Sequence, residues 1–250
     1  MFRPDNRCAR MRRALGLLAF AFSAGLMSAQ SAGDIGMKSV LDFPGIDPTG
    51  VRDSTVALNA AVAWCAKNDR TLFIPGGTYT VSDTIRGESR LGAHDGRNTV
   101  VIVGSTTRRP VIRLRDRAEG FASEAKPKPL LHIYGIKRPD QPGHSSVTVL
   151  FNSGVRGLEL DLGAGNLGAV GIEFDSAQDC FIEDVKILAR ESYAGMRGLP
   201  GRDGTTGNCE IIGGRYGIDT RTIGAMLVGL RLRGQSAAAL RLGITRGASL

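Results

Sequence analysis

Gly171-Ile172-Glu173-Phe174 returns further along the chain as Gly195-Met196-Arg197, Gly217-Ile218-Asp219 and Ala239-Leu240-Arg241-Leu242. The apolar residue after the small one falls at positions 172, 196, 218 and 240, so the steps are 24, 22 and 22 residues. A motif that recurs at a near-fixed period marks a chain that coils, each repeat burying its apolar side against the next. A second series interleaves with the first: Leu158-Glu159-Leu160-Asp161-Leu162, Val185-Lys186-Ile187, Ile211-Ile212 and Leu230-Arg231-Leu232-Arg233. Two or more short strands per repeat, with no helix between them, fit a parallel β-helix. They do not fit leucine-rich repeats, which carry a Leu-x-x-Leu-x-Leu and Asn pattern. A β-sandwich is the competing architecture.

Outward from this core the same economy of short strands and tight corners continues. The chain has 34 Gly in 250 residues, about twice the usual share, which suits many corners rather than long helices. Strands are expected at Thr71 to Ile74, Tyr79 to Val81, Val100 to Val103 and Val111 to Leu114, and the polar stretches Glu119 to Pro129 and Arg138 to Ser145 read as projecting loops. One helix is expected, from Ser54 to Lys67, with Asp53 as its cap and Leu58, Ala61, Val62 and Cys65 on one face. Such a helix lies over the open end of a first coil, where unpaired backbone and apolar core would otherwise meet water.

The flanks of that helix carry a recognisable pattern. Asp47-Pro48-Thr49-Gly50-Val51-Arg52-Asp53-Ser54-Thr55 precedes it, and Phe73-Ile74-Pro75-Gly76-Gly77-Thr78-Tyr79 follows. Together they resemble the N-terminal signature of the pectate lyase superfamily, which includes rhamnogalacturonase/epimerase-like enzymes and family 55 glycoside hydrolases. Gly163-Ala164-Gly165-Asn166-Leu167-Gly168-Ala169 and Tyr216-Gly217-Ile218 are similar to family 55-type sequences, so the resemblance runs from about Val40 to Leu242. It implies an all-β, right-handed parallel β-helix with a short N-terminal capping helix, and a polysaccharide as substrate. By its capping logic, the Asp47 to Tyr79 signature is structural.

Residues 1–32 have the three parts of an export signal: a basic head with Arg3, Arg7, Arg10, Arg12 and Arg13, an apolar core from Ala14 to Leu26, and small residues for cleavage. They imply a secreted or periplasmic protein with one β-helix domain over residues 33–250. The apolar stretch falls short of the roughly 20 residues that span a bilayer, so no stable membrane insertion is expected. Whole, the chain has 32 basic and 24 acidic residues. Five Arg and one Asp leave with the signal, so the mature excess is +4, too small to argue for nucleic acid. Cys65, Cys180 and Cys209 remain. Cys65 belongs to the helix's apolar face, while Cys180 and Cys209 are candidates for neighbouring coils.

Chemistry is expected on the outside of the coils. With Ile172 and Phe174 facing in, Glu173 and Asp175 face out, about 7 Å apart along the strand. Paired carboxylates of this kind perform glycoside hydrolysis, one as acid and the other as nucleophile or base. They are the candidate catalytic residues. Uronate elimination is the alternative; it needs a base and a cation to neutralise the sugar carboxylate, and Ca²⁺ enters only in that case. Arg197, Asp219 and Arg241 are the candidate substrate-binding residues, since the repeat stacks them on Glu173. The same stack read structurally is a charge ladder that holds the coils in register. Asp179, Glu183 and Asp184 add acids nearby, and Arg113, Arg115 and Arg117 form a basic row opposite Ile112 and Leu114. His94, His132 and His144 sit in or beside turns with no metal or triad pattern, and no metal site is expected. The sequence stops at Leu250 directly after a coil strand, which predicts a β-helix truncated at its C-terminus, with further coils beyond it. A non-catalytic glycan-binding β-helix, or a remnant of a longer enzyme, is the alternative to a hydrolase or lyase.

Overall fold

The computed structural model describes residues 35–90, 99–136, 150–220 and 226–243. The export segment, the Arg138 to Ser145 stretch, His94 and His144 lie outside them. Successive coils each lay down short strands in the same order. The first coil has β1 (Met37–Ser39), β2 (Thr49–Asp53) and the helix α1 (Thr55–Lys67); the second has β3 (Thr71–Ile74), β4 (Thr78–Val81) and β5 (Ile85–Arg90). The third has β6 (Val101–Gly104), β7 (Val111–Leu114) and β8 (Lys128–Ile136); the fourth has β9 (Gly154–Arg156), β10 (Glu159–Asp161) and β11 (Ala169–Asp175). The fifth has β12 (Phe181–Glu183), β13 (Lys186–Arg190) and β14 (Ala194–Arg197); the sixth has β15 (Thr205–Gly207), β16 (Glu210–Gly213) and β17 (Tyr216–Thr220). The seventh has β18 (Met226–Val228), β19 (Arg231–Arg233) and β20 (Ala238–Leu242).

Stacking produces three parallel sheets. Sheet A runs β1-β3-β6-β9-β12-β15-β18, sheet B runs β2-β4-β7-β10-β13-β16-β19, and sheet C runs β5-β8-β11-β14-β17-β20. The chain is a parallel β-helix. The 24- and 22-residue steps are its coils, because Ile172 pairs with Met196, Met196 with Ile218, and Ile218 with Leu240. A matching inward column in sheet B joins Tyr79, Ile112, Leu160, Ile187, Ile211 and Leu232. Each fully buried Leu or Ile of these columns contributes about 1.5–3 kcal/mol of transfer free energy, so the stacks are the main cohesive term. In the last described coil Leu227, Leu230 and Leu232 are only partly buried.

The small residue of the repeat follows from close approach. A Cβ at Gly171 would lie 2.5 Å from the Gly195 carbonyl oxygen and 2.8 Å from Ile187, and one at Gly195 would lie 2.4 Å from Ile211. Corners between sheets A and B follow from backbone sign. Gly157, Asp184, Asn208 and Gly229 hold φ of 71°, 52°, 51° and 66° in four successive coils, the region open to Gly and tolerated by Asn and Asp. Asp184 is thereby a corner residue, and Arg109 and Asn208 donate to its carboxylate at 2.6 and 3.3 Å.

Helix α1 stands where the first strand of sheet C would be. Leu58, Ala61, Val62 and Cys65 are buried as their spacing demands. The Asn59 side chain donates to the Thr84 carbonyl (3.1 Å) and accepts from the Arg86 N–H (2.8 Å), so one amide satisfies the open edge at β5. Ser54, not Asp53, takes the N-cap position. Its hydroxyl accepts from the Asp47 N–H, while Asp53 accepts from the N–H and hydroxyl of Thr55. Asp47 in turn accepts from Thr49 N–H and Oγ1 and from Arg52 N–H. The Thr49 hydroxyl first, then these N–H groups, bring the Asp47 carboxyl down to about 2. The signature is thus a clip that turns the chain into the helix.

Two further expectations change. The Glu119 to Pro129 stretch is no free loop: Phe121 is fully buried, its carbonyl accepts from Gly168 N–H, and β8 begins at Lys128. His132 lies within β8 rather than beside a turn. Cys180 and Cys209 do fall on neighbouring coils, the fifth and sixth, but precede strands of different sheets, A and B, and the three described cysteines are free and buried.

Candidate functional site on the outer face of sheet C

Alternation along β11 buries Ile172 and Phe174 and turns Glu173 to the outside. Register then fixes its neighbours. Arg86, His132, Glu173, Arg197, Asp219 and Arg241 follow one another across β5, β8, β11, β14, β17 and β20. Asp175 pairs in register with Tyr134 of β8, which is itself opposite Glu88 of β5. Of the expected catalytic and binding residues, Glu173, Arg197, Asp219 and Arg241 therefore share one column.

Charge alternates along that column and is locally compensated. Arg197 donates from Nε to Glu173 Oε1 at 2.8 Å and from Nη2 to Oε2, a two-pronged fork. Arg241 makes the same fork to Asp219. Tyr193 donates to Asp219 at 3.0 Å and accepts from Arg241. The Arg241 guanidinium also lies 4.0 Å from the centre of the Tyr216 ring, whose plane meets that of Tyr193 edge-on. Burial opposes the charge of Asp219, but the bonds from Arg241 and Tyr193 outweigh it and hold the carboxyl below its ordinary range. Asp219 is an anion at neutral pH and not a proton donor.

Sequence reasoning missed several members of this face. His132 and Tyr134 project from β8 with ring centroids 4.4 Å apart, and the Tyr134 hydroxyl donates to Glu88 at 3.0 Å. Their signal was the alternation Leu131-His132-Ile133-Tyr134, with Leu131 and Ile133 fully buried, which the neighbouring prolines concealed. Tyr193 and Tyr216 lie at strand entries; Tyr216 was read only as part of the Tyr216-Gly217-Ile218 resemblance, and no motif pointed to Tyr193. On the adjacent sheet B, Asp161 is likewise committed, forked by Arg190 and accepting from Gly163 N–H. Of the expected basic row, Arg113 faces Asp161 at 3.9 Å and Asp116 at 3.6 Å. Among the described residues no three His, Cys, Asp or Glu side chains converge as a cation site requires. The carboxylates of the column are engaged by guanidinium groups instead, so this donor set does not fit Ca²⁺.

A family model described as rhamnogalacturonase A/epimerase, pectate lyase-like matches residues 37–239. The chain belongs to that family. This rhamnogalacturonase A/epimerase-like chain also has similarities among solved structures, all at low identity. ORF18 of Geobacillus virus E2 is 14% identical at a TM-score of 0.48, over 80% of this chain and 41% of that one. PfbA, a surface adhesin of Streptococcus pneumoniae, is 14% identical at 0.46, over 78% and 57%. A proposed glycosyl hydrolase from Parabacteroides merdae is 13% identical at 0.41, over 78% and 97%. The chain thus spans less than two thirds of the first two. No curated protein sequence matches it.

Proposed function

We propose that the protein is exported to the periplasm or medium, holds a polysaccharide along the outer face of sheet C, and cleaves it at Glu173 with Asp175. The observation that carries the reading is the column itself: a family built to handle polysaccharides presents here, in one register, a carboxylate flanked by His132 and Arg197 with aromatic side chains beside it. Sugar rings offer hydroxyls to charged groups and apolar faces to aromatic ones, and this face supplies both. In hydrolysis, Glu173 and Asp175 divide the acid and base or nucleophile roles. In elimination, a uronate carboxylate takes the place of Glu173 on Arg197, neutralising the sugar's charge and freeing Glu173 as the base.

The test is turnover of neutral and acidic polysaccharides by wild type and Glu173→Gln, reading reducing ends and unsaturated uronates. The expected result is product from wild type and a loss of at least about 100-fold in the variant, the scale of a lost acid or base. A folded Glu173→Gln protein with undiminished turnover removes Glu173 from the chemistry. A second reading, glycan binding without cleavage, is favoured by one observation: Glu173 and Asp219 already sit in arginine forks. Saturable binding without either product from wild type selects it.

A further inference from the structure

A groove of about 790 Å³ runs between the exposed side of α1 and the outer face of β5 and β8, within the size range of small-ligand pockets. It lies at one end of the charged column, because Arg86 both lines it and heads the register that leads to Glu173. A helix with its side chains is about 10–12 Å across, far thicker than a strand, so α1 walls off that end of the sheet face.

The groove's charges are unevenly committed. Its two acids have close partners: Lys128 sits 2.8 Å from Asp83, and the Tyr134 hydroxyl donates to Glu88. Its two cations are held less closely. Arg86 stands 3.8 Å from Asp83 and donates to the Thr84 carbonyl at 3.3 Å, while Lys67, in the last turn of α1, has no ion pair among the described residues. Val56 and Ala63 add apolar surface. Asn59, spent on the edge of β5, serves as wall rather than ligand.

We propose that this groove binds a carboxylate-bearing sugar, the terminal residue of an acidic polysaccharide whose chain continues along sheet C. The proposal rests on the reading that the outer face of sheet C holds a polysaccharide. It adds that the bound chain ends at α1 and is recognised there by its charge.

Calorimetric titration of the full chain with a short galacturonic acid oligomer, and with the same oligomer after carboxyl reduction, tests it. The acidic oligomer should bind more tightly, and Lys67→Gln should weaken it about tenfold, the scale of one lost charge-assisted contact. The reduced oligomer should bind Lys67→Gln and wild type alike. Equal affinity for both oligomers, or an acidic oligomer indifferent to Lys67→Gln, overturns the groove assignment and leaves the sheet C reading standing. Failure of wild type to bind either oligomer overturns both.

Discussion

Asn166→Leu isolates the contribution of a single amide to the coil. Asn166 is fully buried. Its oxygen accepts from the Ala118 N–H at 2.8 Å, and its nitrogen donates to the Arg115 and Leu162 carbonyls, both at 2.8 Å. It therefore ties the end of β10 to the chain leaving β7 one coil earlier. Leucine keeps the branched shape, though it is bulkier, and offers none of the three bonds. A buried backbone group left without a partner costs about 1–3 kcal/mol. Ala118 and Leu162 are buried, whereas Arg115 is exposed, so its carbonyl can recruit water. Two full penalties and one partial penalty give about 2–7 kcal/mol, a large part of the 5–15 kcal/mol that typically holds a domain. Urea unfolding followed by circular dichroism reads the loss as a fall in midpoint, and hydrogen exchange at the Ala118 amide reads it locally. A loss under about 1 kcal/mol with Ala118 still protected would refute the reasoning, since it would mean these groups find other partners.

Two further perturbations test other parts of the fold. Thr206 is fully buried in sheet A, between Ile182 and Leu227, and its hydroxyl has no partner among the described residues; Thr206→Val should raise the urea midpoint by about 1 kcal/mol in stability, and a decrease would show that the hydroxyl is satisfied. Asp47 has its pKa lowered from 3.8 to about 2 by the Thr49 hydroxyl and the Arg52 and Thr49 N–H groups. Its stabilising contribution is full above the unfolded value and disappears as pH falls through the folded one. Asp47→Asn should therefore flatten the pH dependence of stability between about 4 and 2, and an unchanged slope in unfolding titrations would remove Asp47 as its source.

How far the sequence reaches is set by which physical signal each residue leaves. The Gly171, Gly195 and Gly217 column was legible because no Cβ fits there, so the small residue must recur wherever the coil does. The outward placement of Glu173 was legible because strand alternation has period two. The corners were not. Asp184 and Asn208 look like potential chemistry in isolation, yet they hold the same left-handed backbone that Gly157 and Gly229 hold in neighbouring coils. Gly, Asp and Asn alternating at the same corner of successive coils is the trace of that constraint. Phe121 was lost because Glu, Ser, Lys and Pro surround it, and a single apolar side chain folded back into the core leaves no periodicity. The groove depends on where α1 stands relative to β5, a tertiary fact that Lys67 and Arg86 do not announce.

A crystal structure with the shortest bound oligosaccharide tests the central claim most directly. The account predicts sugar density on the outer face of sheet C, within hydrogen-bond reach of Glu173 or Arg197 and beside His132 and Tyr134. Density confined to sheet A or sheet B, with the Glu173–Arg197 fork untouched, would contradict it.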